Sequence, residues 1–203
     1  FTDCFEVAKL SFKRCIRPQG AVGKPMLILF SDASEQAYGA CTYLRWQIEG
    51  GTASSALFCA KGRVAPIRKT TIVRLELCAA IIAKRLFVFI EKESRFDFSN
   101  IVFVVDSQIV QAMIQKDSYG FKTFAGVRIG EIQGSTDKQS WSWTESDNNI
   151  ADWTTRTKVN LERIANGKLV LNGSNCLRMN GPYTTSQQLM SFQRSKDLFL
   201  LLM

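Results

Sequence analysis

The stretch Met26-Leu27-Ile28-Leu29-Phe30-Ser31-Asp32 decides the fold. It is a short apolar run that stops on a carboxylate. A second stretch does the same: Ile101-Val102-Phe103-Val104-Val105-Asp106. Unbroken apolar runs of this length suit strands buried on both faces of a covered sheet. A charged residue at the end of such a strand falls on the sheet's rim, where ligands bind in open α/β folds. Two strands that each bring an Asp to one rim supply half of a metal site.

The segments around these runs fix the pairing. Ala33 to Ala37 turns the chain, and Tyr38 to Gln47 reads as a second strand. Gly50-Gly51 marks a hairpin into a third strand, Thr52 to Lys61, so the first three strands form an antiparallel meander. Gly39 lets backbone or ligand approach closely. From about Ile72 to Glu93, the residues Leu75, Cys78, Ala79, Ile82, Leu86, Phe89 and Ile90 recur at three- and four-residue steps, the spacing of a helix. Thr70 or Thr71 can cap its start.

The fourth strand, Asn100 to Asp106, is reached across that helix. It therefore pairs parallel to a strand already in the sheet, by a right-handed crossover. Pairing beside Met26–Asp32 puts Asp32 and Asp106 at the same end. Ser107 caps a helix to about Lys116, with Ile109, Val110, Met113 and Ile114 as its apolar side. Phe121 to Gln133 is a further amphipathic helix, with Phe124, Val127 and Ile132 on one side. Lys138 to Thr144 alternates Trp141 and Trp143 as a fifth strand, and a short helix carries Asp152 through Arg156. Before the sheet, a short helix over Phe5 to Lys13 or a plain linker fits equally.

Composition narrows the chemistry. The 203 residues are 46% hydrophobic, enough for one domain with a real core. The formal charge of +8 favours an anionic partner, nucleic acid first. There is no histidine, and none of the 6 cysteines forms a Cys-x-x-Cys pair. That excludes His-dependent nucleophilic catalysis and argues against a His/Cys zinc site. Scattered thiols such as Cys41 and Cys78 read as buried groups of an intracellular protein, cytoplasmic or nuclear and not secreted. No apolar run approaches the roughly 20 residues that span a bilayer, so no membrane partner is expected. The chain opens on Phe1 and reads as a piece of a longer polypeptide.

Acid–base or metal chemistry must then use carboxylates. The topology gathers Asp32, Glu76 and Asp106, and a helix packed back after the fifth strand adds Asp152. Glu76 lies in the first turns of its helix, where the dipole alone favours an acid. Beside two rim Asp residues it can instead be a ligand. Four carboxylates so close repel unless cations neutralise them. Oxygen-only ligation suits Mg²⁺, with Mn²⁺ as the alternative. Two such ions about 3.5–4 Å apart clamp the attacking and leaving oxygens of a phosphoryl displacement. Residues 61–74 carry Lys61, Arg63, Arg68, Lys69 and Arg74 and no acid. That stretch is either a solvated loop or a phosphate-contact surface leading into the helix of Glu76.

At this point the residues resemble a known family. Phe30-Ser-Asp-Ala-Ser-Glu-Gln-Ala-Tyr-Gly-Ala40 resembles the first strand pair of ribonuclease H domains in retroelement polyproteins. Arg63-Val-Ala-Pro66 followed by Thr71-Ile-Val-Arg-Leu-Glu-Leu-Cys-Ala-Ala80 is similar to the BEL/Pao group of LTR retrotransposons in particular. Val105-Asp-Ser-Gln108 matches that family's third acidic motif, and Asn149-Ile-Ala-Asp-Trp-Thr-Thr-Arg156 its closing motif. The resemblance implies a ribonuclease H-like α/β fold, a five-stranded mixed sheet in the order 3-2-1-4-5 flanked by helices. It implies hydrolysis of the RNA strand of RNA–DNA hybrids, leaving 3′-hydroxyl and 5′-phosphate ends.

It also assigns Asp32, Glu76, Asp106 and Asp152 as catalytic metal ligands for two Mg²⁺ ions. Ser34, Gly39 and Arg63 become hybrid contacts beside the rest of the basic stretch. Neighbouring reverse transcriptase and integrase regions are the implied polyprotein partners. The implied organisation is a connection over residues 1–24, the ribonuclease H-like domain over 25–157, and a weakly structured or truncated tail over 158–203. The sequence departs from the family where Trp143 stands in place of a His and Ile150 in place of a Pro. Two other readings stay open: a nucleic-acid-binding remnant without turnover, and a structural connector between neighbouring regions.

Overall fold

In the computed structural model, the described residues are 15–155 together with 176–177 and 190–191. The expected Phe5–Lys13 helix, Arg156 and most of the 158–203 tail lie outside them. Five strands form one sheet: β1 (Ala21–Ala33), β2 (Ala37–Ile48), β3 (Ala53–Val64), β4 (Asn100–Val105) and β5 (Trp141–Trp143). Their order is β3-β2-β1-β4-β5. β1 pairs antiparallel with β2 and parallel with β4, and β4 pairs parallel with β5. This is the expected mixed sheet. Among the described residues, three α-helices flank it: α1 (Ile72–Glu93), α2 (Gln108–Gln115) and α3 (Thr123–Gln133). A separate two-residue pairing joins Cys176–Leu177 to Met190–Ser191.

The central run behaves as its composition demands. Leu27, Ile28, Leu29 and Phe30 are fully buried, with odd and even positions in different clusters. Leu27 and Leu29 join the larger core with α1, α2 and α3, whereas Ile28 and Phe30 pack with Cys41, Tyr43, Val102 and Val104. Period-two alternation sends neighbours to opposite faces, and both faces are apolar because both are covered. Phe103 anchors the helical side, edge-on to Phe87 at 5.5 Å and stacked on Trp141 at 4.4 Å. Gly50 and Gly51 take positive φ of 93° and 84° in the three-residue turn Glu49–Gly51, closed by hydrogen bonds from the Ile48 N–H to the Thr52 carbonyl and from the Gly51 N–H to the Ile48 carbonyl.

The structure corrects several sequence expectations. β1 starts at Ala21, inside the stretch read as an entry loop. Its pairing with β2 breaks register between Val22 and Met26, and that irregularity lets Pro25 sit in a central strand. β3 runs on to Val64, so Lys61 and Arg63 are strand residues rather than loop residues. Extra length is absorbed by a shift where Thr42 faces Cys59 but Tyr43 faces Leu57. Thr71 occupies the N-cap of α1 without a side-chain cap bond, and the Thr70 hydroxyl instead donates to the Arg68 carbonyl. Phe89, Ile109 and Val127, expected on buried stripes, are mostly exposed. Phe87 and Ile129, outside the expected stripes, are buried alongside stripe residues such as Leu75, Ile82, Leu86, Ile90 and Ile132. Cys41 is buried, but Cys78 only half so.

Candidate active site

Sheet register brings the first two acids together. Ser31 faces Val105 across the parallel β1–β4 pair, so Asp32 and the residue after β4, Asp106, leave the sheet at the same end. Asp32 is only 6% exposed. Its carboxylate accepts a hydrogen bond of 2.6 Å from the Thr155 hydroxyl, whose single proton is shared with the Asp152 carbonyl at 3.0 Å. Burial pushes the Asp32 carboxyl up to about 7, and the charges of Asp106 and Asp152 push the same way against the Thr155 bond.

Asp106 is held by Ser146 and Asn149. Burial still raises its carboxyl above the ordinary range, and Asp152 adds to the rise. Its backbone carbonyl accepts from the Trp143 indole at 2.9 Å. Trp143, standing where the family has a His, thus ties β5 to the turn that carries Asp106. Glu76, in the second turn of α1, is also raised, first by burial and then by Asp106, while a hydrogen bond from Ser107 opposes the rise. Ser107 does double duty, accepting from the Val110 N–H as the N-cap of α2.

Asp152 lies on a 3₁₀ turn, Ile150–Thr154, entered through Asn149. The Asn149 amide donates to the Ser31 carbonyl at 2.9 Å, and its side-chain oxygen accepts from the Ala151 N–H at 3.1 Å. This clips the turn onto β1. Residues three apart eclipse in a 3₁₀ helix, so Asn149, Asp152 and Thr155 share one edge. Asn149 and Thr155 both fall within the Asn149–Arg156 motif, yet residue type alone gives neither a role. Their three-residue spacing through Asp152 was the available signal.

The four proposed acids therefore act on one another through their charges at one rim. Among the described residues, no three Asp, Glu, Cys or His side chains stand as a ready-made ion cage. The donor chemistry nevertheless fits a hard divalent cation. The donors are all oxygens, three of them are buried enough to have raised proton affinities, and each worsens its neighbours' ionisation.

The basic residues divide. Lys61 and Arg63 project from the exposed end of β3, which faces Ala40 and Tyr38 of β2. Two strand spacings, roughly 10 Å, separate that end from Asp32. Arg68 and Lys69 are exposed in the link to α1, and Arg74 is exposed in its first turn. Gly39 is buried and lies opposite Asp32 in the β1–β2 pair. The Ser34 hydroxyl is occupied within the fold. It donates to the Thr155 carbonyl at 2.9 Å and accepts from the Gln36 and Ala37 N–H groups.

A sheet in the order β3-β2-β1-β4-β5 with acids gathered where β1 and β4 end defines the ribonuclease H-like class. Within that class, the chain belongs to the Pao retrotransposon-like RNaseH-like domain family, whose model matches residues 1–107. The match contains Asp32, Glu76 and Asp106 and ends before Asp152. Similar solved structures include an N-terminal RNase H domain from Mycobacterium tuberculosis, 11% identical with a TM-score of 0.39, over 62% of this chain and 86% of that one. RNase H1 from Halobacterium salinarum is 19% identical with a TM-score of 0.31, over 61% and 85%. An RNase H1 isolated from compost by a metagenomic approach is 15% identical with a TM-score of 0.38, over 66% and 93%. No curated protein matches the chain. No helix among the described residues is long and apolar enough to cross a membrane.

Proposed function

We propose that the chain cleaves the RNA strand of RNA–DNA hybrids in a divalent-metal-dependent reaction, as the ribonuclease H part of a retrotransposon polyprotein. The observation that carries this reading is the Asp32 carboxyl, buried at the rim between Asp106 and Asp152 and pushed up to about 7. A carboxylate is kept in so unfavourable a place when a cation is to share it.

Asp32, Glu76, Asp106 and Asp152 would hold Mg²⁺ or Mn²⁺. Such an ion, when bound, supplies a nucleophilic water at neutral pH and stabilises the departing oxygen. The chain's own groups do the rest. The Thr155 hydroxyl and the Ala33 N–H orient the Asp32 carboxylate. Ser146 and Asn149 orient Asp106, and Ser107 orients Glu76. The exposed cations Lys61, Arg63, Arg68 and Lys69 attract the polyanion to this side of the sheet. Recognition of RNA over DNA requires contact with the 2′-hydroxyl, and Gly39, opposite Asp32 in the β1–β2 pair, is our candidate for the strand beside that contact.

The domain over 25–157, the intracellular location and neighbouring reverse transcriptase and integrase regions belong to the same proposal. A second reading is hybrid binding without turnover. Incubating labelled hybrid with the chain in Mg²⁺ or Mn²⁺ separates the two. The proposal expects cleavage that Asp106→Asn abolishes; binding with no cleavage in either ion supports the second reading and rejects the first.

A further inference from the structure

The geometry points to a phosphate-binding site outside the acidic rim, made by Arg74 and Arg128 over the ring of Phe124, which grips the nucleic-acid backbone away from the cleavage position. This rests on the proposed nucleic-acid function and names one of its contacts. The Arg74 guanidinium lies 4.8 Å from the Phe124 ring centre and that of Arg128 3.6 Å from it. The two cations can thus be no further apart than the sum of these distances. One ring holds both, and guanidinium–aromatic attraction offsets part of their mutual repulsion.

Neither has a carboxylate within salt-bridge distance among the described residues. The cations that do are Lys24, Lys84, Arg85, Lys92 and Lys138. Arg85, on the same helix as Arg74, pairs in two-pronged fashion with Glu131 on the same helix as Arg128. The α1–α3 contact therefore already has its own ion pair and does not need the second pair of arginines.

Local structure does not account for them either. Arg128 donates to the Phe124 carbonyl one turn back at 3.0 Å. That uses one of five guanidinium N–H donors and leaves a planar fork for phosphate oxygens. Arg74 stands in the first turn of α1, where a cation opposes the helix dipole. Lys122, exposed just before α3, adds a third charge nearby in sequence.

Position gives the role. Arg74 precedes Glu76 by two residues, about 3 Å along the helix axis and about 200° around it. Arg74 thus lies on the side of α1 away from Glu76, and the phosphate that Arg74 and Arg128 grip is not the one facing the acidic rim. The pair sets where along the duplex the rim falls, and it reads phosphate rather than base.

Equilibrium binding of a fluorescent RNA–DNA hybrid to the full chain across a salt series tests this, in an Asp106→Asn background with Mg²⁺ so that no turnover intervenes. Arg128→Ala should shallow the slope of log affinity against log salt by about one, and Arg74→Ala with Arg128→Ala by about two. Arg128→Lys keeps the charge and should retain most of the slope. Circular dichroism melts of each variant check that the fold is kept. An unaltered slope in the folded double variant, with hybrid binding by the parent intact, overturns the arginine site alone. A parent chain that fails to bind hybrid at all overturns both the site and the functional proposal beneath it.

Discussion

Replacing Asp32 by Asn should stabilise the metal-free chain, and more so as pH rises. In the folded chain the carboxyl is pushed from 3.8 up to about 7 by burial first and by Asp106 and Asp152 next. In the unfolded chain it ionises near 3.8. The folded state therefore binds the proton more tightly, so stability is full below pH 3.8 and is lost as pH rises to about 7. About three pH units at about 1.4 kcal/mol each make the ionised Asp32 cost roughly 4 kcal/mol at pH 8. At pH 5 only about one unit of that difference has developed, roughly 1–2 kcal/mol.

Asn keeps an oxygen for the Thr155 hydroxyl, but it brings amide N–H groups that want partners, a cost of about 1 kcal/mol. The net gain is then about 3 kcal/mol at pH 8 and under ~1 kcal/mol at pH 5. For a chain of this size that is a rise in Tm of about 6–12 °C at pH 8 and about 2 °C at pH 5. Thermal melts in EDTA at the two pH values measure it. An Asn variant no more stable than the parent at pH 8, or a gain equal at both pH values, would refute the reasoning.

Other outcomes follow from the same geometry. Thr155→Ala removes the hydroxyl from a buried carboxylate and should cost about 1–3 kcal/mol in urea unfolding at pH 8, with Thr155→Ser restoring most of it. Adding Mg²⁺ should raise the Tm of the parent, by the equivalent of about 2.7 kcal/mol at a hundred times the dissociation constant. In Asp32→Asn or Asp106→Asn the rise should be largely lost, and an equal rise in all three proteins would place the ion elsewhere. Phe103→Ala opens a hole between Phe87 and Trp141 and should destabilise by about 3–5 kcal/mol in urea; a loss below about 1 kcal/mol would mean that the β4–β5 side of the core is not packed as described.

The sheet was legible because its signals were physical constraints of long range. Two apolar runs ending on Asp32 and Asp106 could be buried on both faces only as neighbours, and the long helix between them forced a parallel pair. Gly50-Gly51 needed no context to be a hairpin. Strand ends were less legible. Residues 21–25 contain Gly23 and Pro25, which locally favour a break, yet the irregular register with β2 carries the strand through them. The exposed Phe89 and Val127 show that hydropathy alone extends a helical stripe to flanking residues that the contact face does not reach, while stripe residues such as Leu75, Ile82, Leu86 and Ile90 are buried as expected.

At the site, the acids were legible from strand ends and from motif order. Their supports were not, since a hydroxyl such as Thr155 or an amide such as Asn149 has no periodicity of its own until the 3₁₀ turn lines it up. The Arg74–Phe124–Arg128 arrangement joins residues 50 positions apart in sequence and depends on how α1 packs on α3.

The central claim is that the acidic rim cuts the RNA strand of a hybrid. A hybrid, the matching DNA duplex and the single RNA strand, each end-labelled and incubated with the chain in Mg²⁺, test it most directly. The account predicts cuts confined to the RNA of the hybrid, leaving 3′-hydroxyl and 5′-phosphate ends, and none with Asp106→Asn. An intact hybrid, equal cutting of the DNA duplex, or cutting that survives in Asp106→Asn would contradict it.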